Sequence, residues 1–447
     1  MDSLLAITPI DGRYKYTCND LKNYVSEYAL FRYRIIVEIN YFIFLCKQPI
    51  PLLKNISNEQ MNNIQNIITN FSPNECLKVK KIEAKTKHDV KAIEYYIQEQ
   101  FIKYNLEMYI PYIHFGLTSQ DVNSTANILA IYNGIKEQLI PSIKKIMDIL
   151  NILYNFWKHI PMLSRTHGQA ASPTTIGKEL YVFYYRLENQ LKILNNIEYR
   201  TKFGGAVGNF NAHKVAFPHI NWEEFGDNFI NSFNLIRNKF TTQISNYDEI
   251  SNIFDNIKRI NTILIDLNID IWYYISMGYL NQKINTQEVG SSTMPHKINP
   301  INFENSEGNL IMSISLLECI SRKLPISRLQ RDLTDSTILR NIGSVFGYSL
   351  IGYKSLITGL NKISLNNEKI KSDLNDNSIV ICEGMQTILR REGIPNAYEL
   401  FKDFIYKNET ISEEKFNKFI NQLDISDTIK EELHQISAFN YIGYADK

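Results

Sequence analysis

The sequence predicts an all-α fold of three helical domains around a bundle of long helices, and three observations carry that prediction. Apolar residues recur at three- and four-residue spacing over long runs: Val122 to Trp157, Thr174 to Ile197, Ile253 to Leu280, and Phe303 to Leu324. The stripe Ile257, Ile260, Leu264, Leu267, Ile271 and Ile275 is too long for a compact globular helix, so such helices must bury against one another, and several chains could share the core. No strand-rich region or alternation of strands with helices competes with this pattern.

Size and charge narrow the function classes. The 447 residues are 44% hydrophobic, enough for several packed units. Lys and Arg number 48 against 47 Asp and Glu, a formal net charge of +1. So balanced a chain has no global field to draw nucleic acid or an anionic membrane, and any anion site must be local. The cysteines, Cys18, Cys46, Cys76, Cys319 and Cys382, show no CxxC or metal-ligand spacing and read as reduced thiols. The start MDSLLAITPIDGR lacks a basic segment followed by an apolar run, and the stretch Ile35 to Cys46 is interrupted by Glu38 and Asn40. A cytoplasmic protein without a membrane segment is expected.

Residues 1–111 read as an N-terminal helical domain, with Tyr28, Phe31, Ile35 and Ile39 on one helix face. Within it, Asp11-Gly12-Arg13-Tyr14 sets an arginine beside a turn, and Thr86-Lys87-His88-Asp89 stands at the entrance to an amphipathic helix, where anions are favoured. Pro111 marks a boundary, and residues 112–364 form the central domain. His114 to Asp121 opens a long helix that Thr118 or Ser119 could cap, and Pro141 should kink or break it. In Leu163 to Gln169, His167 precedes a glycine in a loop closed by Pro173. The run Gly204-Gly205-Ala206-Val207-Gly208 has the wrong spacing for a dinucleotide fingerprint. Gln243 alone reads as a solvated loop residue.

Gly290 to Pro300, within a loop expected over 286–302, combines Ser291, Ser292, His296, Lys297 and Asn299 between helix-breaking residues, a composition that packing does not explain. Beyond Asn305, the stretch Ser327 to Arg340 concentrates Arg331, Ser336 and Arg340. It is a local phosphate site or a charged helix face with Arg331 and Asp335 paired four residues apart. Residues 365–447 make a smaller C-terminal helical domain.

These motifs resemble the fumarase/aspartase superfamily, whose members cleave C–N or C–O bonds and release fumarate, over nearly the whole chain. SSTMPHKINP is similar to its diagnostic loop, and ITPIDGRY, TKHDVKAIEYY, HFGLTSQDVN, LSRTHGQ, GGAVGNFNAH, TTQI and SRLQRDLTDSTILR are similar to its adenylosuccinate lyase branch. The resemblance implies a homotetrameric long-helix core with active sites shared between subunits. It implies a purine nucleotide substrate, adenylosuccinate, cleaved to AMP and fumarate, and the same reaction on the related succinyl-aminoimidazole-carboxamide ribotide. It makes His167 the general acid and Ser291 the general base, although the chemistry of adjacent hydroxyls does not separate Ser291 from Ser292. It places Arg13, Tyr14, Lys87, His88 and Asp89 at the substrate, with Thr118 and Ser119 at the succinyl carboxylates. Gln243, Ser292, Lys297, Asn299 and Asn305 join the binding set, and Arg331, Ser336 and Arg340 take the ribose phosphate. One departure is Ala170, where relatives carry proline. No cofactor or metal is expected, since no HExxH, paired-cysteine, Rossmann or phosphate-loop pattern occurs.

Such an elimination removes a weakly acidic proton beside a carboxylate, so fixed cations and N–H donors must stabilise the doubly charged intermediate. Another fumarate-releasing lyase, such as argininosuccinate lyase, fits the Arg13, Arg331 and Arg340 set less well than a nucleotide enzyme does. An inactive structural oligomer is disfavoured by His167, Ser291 and Lys297 occurring together.

Overall fold

A computed structural model describes residues 3–283, 294, 296–408 and 413–447. Helices dominate, as the periodicity predicts, and the described strands are short and paired two by two. The chain gathers into two compact units, one of Met1–Lys144, Asn189–Ile265 and Asn305–Ser355, the other of Lys145–Glu188, Asp266–Glu304 and Leu356–Lys447. Compactness does not follow chain order, and the sequential boundaries expected at 111 and 364 mark no edge of these units.

In the first unit the helix Glu27–Leu45 starts where the Ser26 side chain accepts from the Ala29 N–H at 3.1 Å. It buries Phe31, Ile35 and Ile39 completely, and it also buries two charged residues, Arg34 and Glu38. The helix Pro73–Thr86 ends at Lys87, whose left-handed backbone turns the chain into the helix Asp89–Lys103, and the His88 ring caps that helix. The helix Ser119–Gly134 does not break at Pro141. It passes through a π turn, Ile135–Leu139, into the helix Ile140–Trp157. Widening the turn there absorbs the N–H and the space that proline denies the chain. In the 29-residue helix Asp248–Ser276, Ile257, Ile260, Leu264, Leu267 and Ile271 are buried as the stripe requires, while Ile275 is only half-buried.

The second unit has its own core around Met162, Leu163, Ile176, Tyr279, Leu389 and Phe401. Where the sequence suggested a loop around His167, strands Pro161–Thr166 and Gln169–Thr175 form an antiparallel hairpin. Its turn residues have positive φ, 52° at His167 and 73° at Gly168, as a two-residue turn of the type I′ kind requires.

The start of the Ser119 helix is held from below by a buried carboxylate. Asp121 and Lys202 are both fully buried, and Lys202 Nζ lies 2.6 Å from Asp121 Oδ1. The same carboxylate accepts from the N–H groups of Gly204 at 2.8 Å, Gly205 at 3.1 Å and Thr118 at 2.8 Å. The Gly204–Gly205 segment thus serves as a set of backbone donors, and the Lys202 ammonium also reaches the Gly205 carbonyl at 2.5 Å. Burial pulls the Lys202 pKa below its ordinary value against the opposing attraction of Asp121.

Two histidines flank the segment leading into that helix. His213 is buried beneath Gly116, where a Cβ would come within 2.7 Å of its ring, and Gly116 sits at φ +68°. The Tyr41 hydroxyl donates to the Phe115 carbonyl at 2.6 Å, which leaves its oxygen to accept from His213 Nε2–H at 2.9 Å. Burial lowers the His213 pKa to about 4, so the ring is neutral at physiological pH. His114 is the reverse case, with Nδ1 2.5 Å from Glu38 and Nε2 3.8 Å from Glu94. Burial would lower its pKa, but the Glu38 charge and hydrogen bond outweigh it and raise the value to about 9.

Removing one partner of the Asp121–Lys202 pair strands the other in the core, so Lys202→Met should lower unfolding stability by about 3–5 kcal/mol in urea titrations. Asp121→Asn should also be costly, and the double variant should lose less than the two singles together; strict additivity would refute the coupling. For His114 the raised value means a contribution complete below its ordinary 6.5 and lost as pH climbs through about 9. Stability should therefore fall across that window in the wild type, and His114→Gln should flatten the profile. An unchanged slope in the variant would remove His114 as the cause.

Candidate active site

A cavity of about 360 Å³ opens within the first unit. One wall is the Glu27 helix and its approach, including Tyr24, Glu27 and Arg34, and another is the helix junction with Lys87, His88 and Asp89. The start of the Ser119 helix supplies Ser119, Gln120 and Asn123, and the stretch before the helix Ile342–Leu360 supplies Arg331, Ser336 and Arg340. Seven residues expected at the substrate thus meet in one place: Lys87, His88, Asp89, Ser119, Arg331, Ser336 and Arg340. The cations of its wall, Arg34, Lys87, Arg331 and Arg340, outnumber the carboxylates Glu27 and Asp89, so the lining is locally cationic in a chain of nearly balanced charge.

Most of these groups have defined partners. Asp89 Oδ2 accepts from Arg34 at 2.8 Å and from Arg340 at 3.2 Å, and Arg340 also lies 3.7 Å from Glu27. Burial alone would raise the Asp89 pKa; the Arg34 charge and the Val90 N–H outweigh it and hold the carboxyl below its usual range. His88 Nδ1 accepts from the Lys91 N–H at 3.1 Å, so capping uses one ring nitrogen. Arg331 does not pair with Asp335: its Nη1 donates to Gln243 Oε1 at 3.1 Å, while Asp335 accepts from the Tyr247 hydroxyl at 2.9 Å. The pair four residues apart is instead Arg328–Asp332 at 3.3 Å. Gln243 is therefore tied to the cavity through Arg331 and is not a freely solvated residue.

Other expected residues are not among those that line this cavity. Thr118 is the capping residue before Ser119, its N–H bound to Asp121. Tyr14 donates to Asn305 Oδ1 at 2.7 Å, and Asn305 donates to Ser355 at 3.1 Å, while Arg13 is exposed beside the Tyr14 ring. His167, Lys297 and Asn299 belong to the second unit. There His167 is exposed at the hairpin tip, and Arg165 anchors that hairpin through Asp373 at 3.1 Å. Asp373 also holds Lys369 at 2.6 Å and Tyr279 at 2.9 Å. Lys297 is exposed, and its N–H bonds the Met294 carbonyl at 3.1 Å. Ser291 and Ser292 lie outside the described residues, as does most of the loop expected over 286–302.

Sequence reasoning missed Arg34 and Asn123 in the cavity wall. The signal for Arg34 was present, since a charge interrupts the buried run Phe31 to Ile39. Asn123 follows the recognised motif and carried no separate mark.

Known proteins resemble this chain throughout its length. A family described as lyase matches residues 12–313, and the adenylosuccinate lyase C-terminal family matches residues 327–442. An adenylosuccinate lyase of Dictyostelium discoideum is 50% identical over 99% of this chain and 97% of its own. Those of Legionella pneumophila and Escherichia coli are 44% and 40% identical, each over 100% of this chain and 98% of theirs. A fumarate lyase crystal structure from Mesorhizobium shares the fold at 15% identity, with a TM-score of 0.76 over 96% of both chains. With matches covering both its long N-terminal part and its C-terminal part, the chain belongs to the adenylosuccinate lyase family.

Proposed function

We propose that this chain cleaves adenylosuccinate to AMP and fumarate, and acts in the same way on the succinyl-aminoimidazole-carboxamide ribotide. The observation that carries the reading is the cationic cavity where seven motif residues meet, in a chain 50% identical to an adenylosuccinate lyase over 99% of its length.

In this reading Arg331, Ser336 and Arg340 take the phosphate, and Ser119, at the N-terminus of its helix, takes a succinyl carboxylate, where N–H groups and the helix dipole favour negative charge. Ser291, as its alkoxide, takes the proton from the carbon beside a carboxylate and becomes the neutral hydroxyl. The electron pair left on that carbon spreads into the carboxylate as a dianion, which Lys297 stabilises. The neighbouring C–N bond then breaks, its electrons pass to nitrogen, and His167 protonates that nitrogen so that it does not leave as an anion. A hairpin tip suits the acid, because the two strands fix the imidazole's backbone more tightly than an irregular loop would.

The assembly belongs to the same proposal. Ile152, Phe156, Ile193, Tyr273, Ile311 and Met312 are each exposed on long helices of the single chain, apolar side chains that a homotetrameric bundle would cover. Each active site would then gather His88, His167 and Ser291 from three different subunits.

Adding adenylosuccinate to the purified protein should produce the absorbance change of fumarate release, and argininosuccinate should produce none. Silence with the first substrate would sink the assignment. Separately, Ser291→Ala and His167→Ala enzymes should each be nearly inactive, yet co-refolding them should restore activity by forming sites with both residues intact. If mixtures stay inactive although mass measurements confirm subunit exchange, the shared-site arrangement is wrong.

A further inference from the structure

The cavity wall holds an arginine that none of the recognised motifs contains. Arg34 is 4% exposed, and one of its terminal nitrogens, Nη2, lies 2.8 Å from Asp89 Oδ2. Its Nε and Nη1 are buried and have no hydrogen-bond partner. The same cavity is lined by a second buried orphan, the Oδ1 of Asn123 on the Ser119 helix. Buried donors on a charged group are not left unmet without cause.

Neutralising Asp89 does not account for Arg34. That carboxylate also accepts from Arg340 at 3.2 Å, and Arg340 is shared in turn with Glu27 at 3.7 Å, so Asp89 meets only one end of the Arg34 guanidinium and leaves Nε and Nη1 unmet. Arg340 is half exposed on a short helix end, whereas Arg34 is locked inside the Glu27 helix and can wait in place for a ligand.

We propose that Arg34 is a ligand-binding residue of this cavity, its Nε or Nη1 donating to an oxyanion of the bound substrate, either phosphate or carboxylate. The identity of that ligand rests on the proposed function; the need of Arg34 for an oxyanion does not. Arg34 thereby supplies a fixed cation to the same cavity that Arg331 and Arg340 line.

The test compares wild type with Arg34→Lys, which can still pair with Asp89 but loses the planar set of donors. Calorimetry with AMP, adenosine and fumarate should show unchanged adenosine affinity and at least a tenfold loss for one oxyanion ligand. A loss for AMP identifies the phosphate, and a loss for fumarate identifies the carboxylate. The KM for adenylosuccinate should rise with it, more than kcat falls. Unchanged affinity for both AMP and fumarate overturns the proposal and leaves Arg34 as a mere anchor of Asp89. Should Arg34→Lys fail to fold, the wild-type crystal structure with AMP or fumarate decides. A ligand oxygen within hydrogen-bond distance of Nε or Nη1 supports the proposal, and contacts to protein or water alone overturn it. A wild type that binds AMP but does not cleave adenylosuccinate would refute the functional reading and leave the Arg34 comparison intact.

Discussion

The Asp121 carboxylate is the constraint from which the first unit's chemistry follows. It sits with no exposure in the first turn of the Ser119 helix, where the helix dipole favours an anion, and it draws a lysine and three backbone N–H groups onto itself. Such a charge can stay inside only if its oxygens are saturated, and here the donors come from segments some 80 positions apart. The residues of the Gly204 segment are thus held by what their backbones donate. Once that node is made, the N-terminus bearing Ser119 has one place to go.

The approach to that N-terminus shows how surroundings divide like residues into unlike roles. His114 faces two carboxylates and keeps its proton, while His213 faces Tyr41, Phe210 and Trp222 and gives its proton up. Residues 115–118 therefore run between a cation and a neutral ring. Exchanging the two environments would put a charge among aromatic rings and leave Glu38 without a counterion.

Helix period made the helices legible, because it depends on local order along the chain, whereas His88, Ser119 and Arg331, which line one cavity, were marked only by the motifs' resemblance to a known family. The stripe from Ile257 to Ile271 came through on local period alone. The hairpin at His167 did not, since a turn with two positive φ values is marked only by a histidine and a glycine, and the strands beside it are short. The π turn before Pro141 was hidden because proline advertises a break and says nothing of how a neighbour can prevent one. Arg331 finding Gln243 in place of Asp335 depended on a fold that brings residues 88 positions apart together, which no helical spacing rule contains. Arg34 lay open to view as a charge among apolar residues, but its pairing with Asp89 and its place in the cavity wall exist only in the packed structure.

The cavity walls also have a history during synthesis. They run from Tyr24 near the start of the chain to Gly343 well into its last third. At roughly 5–20 residues per second, the translation of that span occupies on the order of 15–60 s. For most of that time Arg34 and Asp89 have been made while Arg331 and Arg340 have not. The nascent chain can pair Arg34 with Asp89 long before Arg331 and Arg340 exist. A premature stop within that interval yields a polypeptide holding one wall of the cavity and not the other, with the apolar faces of its finished helices left for chaperones to cover.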